Sequence, residues 1–350
     1  MEAVAGDAVA AVNGSRRPLS HITVQWHILD RCNLRCKHCY QEAFQDPGFE
    51  LPVLLKIADR IFKWHEQECE RAAARIPLFL NLTGGEPCLH PDFPALLHYL
   101  KKSRPRLGIL SNGILIDEQS AGRFAESGVR FVQLSVEGGP ETHDEIRGGR
   151  SFAETIKAGR ILKKAGIRLI WSFTAHSANF MEFATVAEIA RSQGVDRLWT
   201  DRLIPASGAD APRPLDALQT QDYLRLLEKA RRKAEKRGSG TEIFLGRALQ
   251  FQAAGGRPYH CRAGRELVAI MPNGDLYPCR RLPLAVGNVL DRPLEELYAT
   301  ETMERLRSFT APAECGPCLY KHGCQGGLRC LAQAVTGDMF RRDPGCRALE

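Results

Sequence analysis

Three cysteines stand in a loop of eight residues, Cys32-Asn33-Leu34-Arg35-Cys36-Lys37-His38-Cys39, followed by Tyr40. The C-x3-C-x2-C spacing lets three thiolates bind three irons of a cubane cluster and leaves the fourth iron without a protein ligand. An open iron can take a chelating substrate. A structural zinc site is the alternative, but it wants four closed ligands where this loop offers three thiols. Twelve cysteines in 350 residues would place this triplet by chance at about 0.01 per chain, so the spacing calls for a chemical explanation.

A second set of cysteines lies far downstream. Residues 260–346 hold seven of the twelve: Cys261, Cys279, Cys315, Cys318, Cys324, Cys330 and Cys346. The run Cys315, Cys318, Cys324 reads C-x2-C-x5-C, which taken alone suits zinc. This stretch is rich in Gly and Pro and shows only two short helical patterns, Leu294 to Phe309 and Leu328 to Thr336. A segment so poor in core residues needs metal staples to fold. Leu267 to Met271, turning at Pro272-Asn273-Gly274-Asp275, reads as a hairpin that would let Cys261 and Cys279 converge on one centre.

From His21 to about Ala234, short β-rich runs alternate with amphipathic stretches, the pattern of consecutive βα units and a parallel sheet. The strands expected are Thr23 to Leu29, Pro77 to Leu82, Leu107 to Leu110, Val129 to Ser135, Arg168 to Thr174 and Arg197 to Leu203. Leu54, Leu55, Ile57, Ala58, Ile61 and Phe62 give the first helix a core-facing stripe; Tyr223, Leu224, Leu227, Ala230 and Ala234 give one to the last. Pro205 to Leu218 reads as a loop and Arg237 to Thr241 as a linker. The expected division is a disordered tail over residues 1–18, a barrel over 19–236 and a cysteine-rich domain over 237–350.

The composition is that of an ordinary globular protein, 44% hydrophobic and 25% charged. No run approaches the eighteen apolar residues of a membrane span, and Glu2 and Asp7 stand where a signal peptide wants basic residues. Many cysteines without an export signal fit a reducing, cytoplasmic setting in which they hold metal. The formal charge of +7 is weak evidence for nucleic acid, because three thiolate-ligated clusters would cancel roughly five of those units.

The loop ending in Cys39-Tyr40 resembles the hallmark of the radical S-adenosylmethionine (SAM) superfamily, and the resemblance spans nearly the whole chain. Gly84-Gly85-Glu86-Pro87 is similar to the family's GGEP motif. Ser111-Asn112-Gly113, Ser135-Val136-Glu137-Gly138 and His143-Asp144 with Arg147-Gly148 look like its TNG, SLDG and HDxxRG positions, Glu137 replacing the usual Asp. The resemblance implies that the open iron chelates the amino and carboxylate groups of SAM, that Tyr40, Gly84, Gly85, Glu86, Pro87 and Asn112 belong to the SAM site, that Ser135 lies near its ribose or methionine moiety and Arg147 near a carboxylate. These motifs fall at the C-terminal ends of the expected strands, the face on which barrel enzymes build their sites. Asp201 and Arg202, at the end of the sixth strand, are candidates to face the reaction or to cap the barrel as an ion pair.

The downstream cysteines resemble the SPASM domain, an extension with auxiliary iron-sulfur clusters. This implies one four-thiolate cluster on Cys315, Cys318, Cys324 and Cys346, and a second on Cys261, Cys279 and one more cysteine, with Cys330 the nearest. Two departures leave the second incomplete or open: the last pair is spaced C-x5-C rather than C-x3-C, and Gly255 stands where a further cysteine is usual.

The expected molecule is therefore an α/β protein, a partial (β/α)6 TIM barrel with a metal-stapled SPASM-type domain, that cleaves SAM reductively and abstracts hydrogen from an unreactive carbon. A ribosomally made peptide is the preferred substrate, crosslinked through a thioether or carbon bond or epimerised, with a flavodoxin or ferredoxin-type protein as reductant. No room is expected before the barrel for a separate peptide-recognition domain. The alternatives are haem or tetrapyrrole side-chain modification and, in another class, a non-catalytic iron-sulfur or zinc-binding module.

Overall fold

In the computed structural model, which describes residues 18–41, 43–205, 211–238 and 240–348, the six expected strands form within two residues of their anticipated ends. They are β1 (Ile22–His27), β2 (Leu78–Thr83), β3 (Arg106–Ser111), β4 (Phe131–Ser135), β5 (Arg168–Ala175) and β6 (Arg197–Arg202). Three more follow: β7 (Glu242–Phe244), β8 (Leu267–Ile270) and β9 (Leu276–Tyr277). Apart from residue 18, the expected tail lies outside the described residues, as do 206–210 of the expected loop.

Two units gather non-contiguous segments of chain. One holds residues 1–31, 43–109 and 262–309, the other 32–42, 110–261 and 310–350. In the first unit, β1 pairs in parallel with β2, with Ile22 opposite Leu78, and β2 with β3. The other edge of β1 is taken in parallel by β8, Thr23 opposite Leu267, and β8 turns back antiparallel to β9. The anticipated hairpin therefore exists, and its first strand also extends the parallel sheet. Helix α1 (Leu51–Arg71) starts on a proline in its first turn and buries Leu54, Ile57, Ala58, Ile61 and Trp64, a stripe at helical spacing. The next helix, α2 (Phe93–Leu100), also starts on a proline in its first turn. Tyr298 lies with its ring 5.1 Å from that of Trp64.

The second unit pairs β4, β5, β6 and β7 in parallel order. Its helices include α3 (Glu118–Glu126), α4 (Pro140–Arg147), α5 (Ser151–Lys164), α6 (Phe183–Ser192) and α7 (Ala217–Lys236). Asp216 and Gln219 close a capping box at the start of α7. Strand β7 is only three residues long, too short for alternation to show in the sequence, and it follows what reads as a linker. Alternation along the longer strands separates two faces. Leu134 and Leu169 lie near Gly159 of α5, and Thr200 bonds the hydroxyl of Tyr223 in α7 at 2.6 Å, so one face packs on helices. Ser135, Ser172, Thr174, Trp199 and Asp201 occupy the other, in register across β4, β5 and β6.

Candidate active site

In the second unit the cysteine loop is held by backbone and side-chain contacts to α4 and to the end of β3. Lys37 N donates to Ile146 O at 2.9 Å, and Lys37 Nζ pairs with Glu145 at 3.0 Å. Asn112 Nδ2 donates to Asn33 Oδ1 at 2.8 Å and lies 4.0 Å from Cys32 Sγ. Cys36 Sγ lies 4.0 Å from Arg147 O. Burial pushes the Cys39 thiol up to about 11, with Cys36 and Cys32 close enough to push it further; Cys36 is raised too. Three half-buried thiols gathered in this way suit a cationic cluster that displaces their protons. Tyr40, beside them, is 39% exposed.

Beneath the loop is a buried charged group the sequence did not reveal. Glu137 Oε1 accepts from Nε and Nη2 of Arg147 at 3.3 Å each and pairs with His38 Nε2 at 3.4 Å, while Oε2 accepts from Thr174 N at 2.9 Å. Burial raises the Glu137 carboxyl, but His38, Arg147 and the Thr174 amide outweigh it and carry it down to about 2. A carboxylate of the chain itself thus stands beside Arg147. The sequence signal was the Glu standing for Asp, whose longer side chain reaches both His38 and Arg147. His38 Nδ1, His143 Nε2 and His176 Nε2 are buried without a protein partner among the described residues, which leaves polar capacity around the loop for a bound group.

His143 adds a pH dependence, together with His27 of the first unit. Burial and then Arg147 lower His143 to about 4; burial and then Arg280 lower His27 to about 3. An unfolded chain takes up protons at both below about pH 6.5, while the folded imidazoles stay neutral. Their contribution to stability is full above pH 6.5 and is lost as pH falls toward 4, about 2 kcal/mol at pH 5 for each. The urea midpoint should therefore drop between pH 7 and pH 5, and an unchanged midpoint would contradict these environments.

The GGEP segment lies in the first unit at the end of β2. A Cβ on Gly85 would come 2.2 Å from Arg31 O and 2.4 Å from Asp30 O, and one on Gly84 would come 2.4 Å from Leu29 O. Gly85 N donates to Leu29 O and Glu86 N to Arg31 O, both at 2.9 Å. Glu86 is fully buried and accepts from Cys88 N at 3.2 Å; Pro87 is buried as well. The glycines thus bring two strand ends into backbone contact. Gly85→Ala should cost about 1–3 kcal/mol and lower SAM affinity severalfold, measurable by equilibrium dialysis; an unaltered affinity would separate this segment from the SAM site.

Ser135 is half-buried, 3.5 Å from Ser172 Oγ. Asp201 accepts from Arg202 N at 2.9 Å and from Arg247 Nε at 2.9 Å. Arg202 is 2% exposed and makes a bidentate pair with Asp343, 2.7 and 2.5 Å, so its guanidinium braces the structure. Asp343 also accepts from Leu328 N and Gly345 N, both at 3.0 Å, and Cys346 N donates to Asp343 O at 3.0 Å. Nothing in the sequence singled out Asp343 or Arg247; turn composition in Asp343-Pro344-Gly345 was the only trace.

Asp343 stands among the downstream cysteines. Cys315 and Cys324 are buried, Cys318 and Cys346 half-buried. Burial and the neighbouring Cys346 raise both Cys315 and Cys324, the latter to about 12, and Cys318 raises Cys315 and Cys346. Cys315 and Cys346 therefore lie within electrostatic reach of each other and of both Cys318 and Cys324. Cys330 is buried at the start of the helix Arg329–Thr336, and Cys261 is buried in the same unit. Cys279, in the first unit, bridges to Leu282. Among the described residues no three His, Cys, Asp or Glu side chains converge as they would on a single metal ion. A cubane asks for thiolates spread over separate irons, a wider grouping than a single ion needs.

Comparison with known proteins decides between a cluster enzyme and a zinc module. Residues 26–176 match the radical SAM superfamily and residues 261–319 match the SPASM iron-sulfur cluster-binding domain. The mycofactocin maturase MftC of Mycobacterium ulcerans is 30% identical over 341 residues, spanning 93% of this chain and 87% of its own length. The chain belongs to the radical SAM superfamily. The pre-heme d1 synthase of Dinoroseobacter shibae is 28% identical over 92% of this chain and 85% of its own. Streptococcus suis SuiB bound to precursor peptide SuiA shares the fold, with a TM-score of 0.74 at 18% identity over 93% of this chain and 76% of that one.

This radical SAM enzyme therefore works with SAM, a 4Fe-4S cluster and the auxiliary iron-sulfur clusters of its SPASM domain. When bound, the cluster and SAM supply reductive cleavage of the sulfonium bond and a deoxyadenosyl radical. Cys32, Cys36 and Cys39 fit the role of ligands to the first cluster, and Cys315, Cys318, Cys324 and Cys346 fit a closed auxiliary one. Among the described residues no helix is long and apolar enough to cross a membrane.

Proposed function

We propose that this enzyme matures a ribosomally synthesised peptide, forming a thioether or carbon crosslink or epimerising a residue, with an electron from a flavodoxin or ferredoxin-type protein. The observation that carries the reading is the likeness to a mycofactocin maturase at 30% identity across 93% of the chain. The shared fold with SuiB, whose structure holds a precursor peptide, agrees with it. Within the site, Cys32, Cys36 and Cys39 hold the SAM-binding cluster, Asn112 steadies their loop through Asn33, and the Glu137 and Arg147 pair supports the loop from below.

A second reading is favoured by the pre-heme d1 synthase, 28% identical over a similar span: modification of tetrapyrrole side chains. The deciding experiment gives reconstituted enzyme, SAM and dithionite either the short peptides encoded beside its gene or iron-coproporphyrin III, and reads the products by mass spectrometry. A mass change confined to a peptide supports maturation; one confined to the porphyrin overturns it.

A further inference from the structure

Glu137 follows β4 in the second unit, and its position is fixed by the protein itself. Its backbone N donates to His143 Nδ1 at 3.3 Å, while Asn179 Nδ2 donates to its carbonyl at 3.0 Å and to that of Thr174 at 3.1 Å. One carboxylate oxygen takes Nε and Nη2 of Arg147 at 3.3 Å each and stands 3.4 Å from His38 Nε2; the other takes the Thr174 amide at 2.9 Å. Glu137 is 1% and Arg147 9% exposed. The two form a buried ion pair.

This pair borders the thiols of the cysteine loop. Cys36 Sγ lies 4.0 Å from Arg147 O, Lys37 N donates to Ile146 O at 2.9 Å, and His38 stands in the chain between Cys36 and Cys39. Arg147 lowers the Cys36 thiol and Glu137 raises it, so both charges are felt at that sulfur. The loop thus meets the last turn of α4, the helix end whose carbonyls carry partial negative charge.

The potential of an iron-sulfur cluster follows the net charge and solvent exposure of its surroundings. Reduction adds an electron, so a buried cation close by favours the reduced state and makes the cluster a weaker reductant. Water and salt screen such a charge little when it is buried. Splitting a sulfonium bond reductively asks for a strong reductant. A guanidinium beside the thiols therefore works against the chemistry unless a negative charge cancels it.

We propose that Glu137, by cancelling the charge of Arg147, sets the reduction potential of the cluster on Cys32, Cys36 and Cys39 and keeps it strongly reducing. This rests on the reading of those three cysteines as the ligands, and it holds whether the substrate is a peptide or a tetrapyrrole. Glu137 acts through Arg147 and has no part in the bonds made or broken.

The test poises reconstituted full-length enzyme at a series of potentials and reads the reduced cluster by electron paramagnetic resonance. SAM is left out, so that no carboxylate but that of Glu137 meets Arg147, and the Cys32, Cys36, Cys39 triple alanine variant supplies the auxiliary signals for subtraction. Glu137→Gln keeps the shape and an acceptor for Arg147 while removing the charge. It should raise the ratio of reduced to oxidised cluster at a fixed potential about tenfold, which is about 59 mV for one electron. Arg147→Gln should lower that ratio about tenfold, and the double variant should return it to within about threefold of the unmodified enzyme. Loss of a structural brace does not give opposite signs in the two single variants. Iron content and circular dichroism establish folding; should one single variant fail to fold, the sign of the other decides. Should both fail, the double variant decides, because it strands no charge: a potential well below that of the unmodified enzyme would mean that Arg147 had acted uncompensated, and would overturn the proposal. An unshifted potential in folded Glu137→Gln, or shifts of one sign in both single variants, overturns it alone. A signal of the first cluster that persists in the triple variant overturns the ligand assignment and the proposal with it, so the two failures are told apart.

Discussion

Alanine at Cys32, Cys36 and Cys39 together should abolish formation of deoxyadenosine from SAM in reduced, reconstituted enzyme, while iron remains bound at the C-terminal cysteines. The three thiols lie on one loop, and Cys39 feels both of the others electrostatically, so they are placed to act on a common centre. Removing them should take away about four irons per chain and leave the auxiliary complement. The loss of activity should be complete, because no side chain substitutes for an open iron in chelating SAM. Cleavage undiminished in the triple variant would remove the loop from the chemistry, and a variant carrying zinc without iron would overturn the auxiliary-cluster assignment.

The second large effect is expected at the Arg202 and Asp343 pair. Both side chains are buried, 2% and fully, and the carboxylate accepts from two guanidinium nitrogens and two backbone amides. Arg202→Met leaves a buried carboxylate facing an apolar chain, which should cost about 3–5 kcal/mol. Because Asp343 also shapes the turn that delivers Cys346, the C-terminal region should lose iron more readily on desalting. Adding Asp343→Asn to Arg202→Met removes the stranded charge and keeps an acceptor for the amides, so the double variant should regain much of the lost stability. A double variant no more stable than the single one would show that the pair contributes through packing and not through charge.

What could be read in advance follows from how far each feature extends along the chain. The six strands β1 to β6 announced themselves because alternation is local. The apolar stripes of α1 and α7 did so for the same reason. The thiol triad was equally legible, its whole signal lying between Cys32 and Cys39. Partner choice across long separations was not. The pairing of β8 with β1, of Arg202 with Asp343 and of Arg247 with Asp201 each joins residues far apart in sequence, with no pattern at either end to name the other. Glu137 shows the intermediate case: it stood out as an unusual residue in a recognisable segment, yet its grip on both His38 and Arg147 required the fold. The three-residue β7 was missed because so short a strand carries no period.

The parallel pairing of β8 with β1 sets an order of events in synthesis. Thr23 opposes Leu267, so the second strand edge of β1 emerges early and waits for a partner made late. The residues between include the whole 110–261 stretch of the other unit. Until β8 arrives, β1 presents a row of unsatisfied N–H and C=O groups, an invitation to pairing with another chain. The first unit must therefore finish folding after the middle of the second has been made, a long-range closure of the sort that is slow and prone to aggregation. Chaperones that shield nascent edges should accordingly raise the soluble yield of this protein more than added iron does.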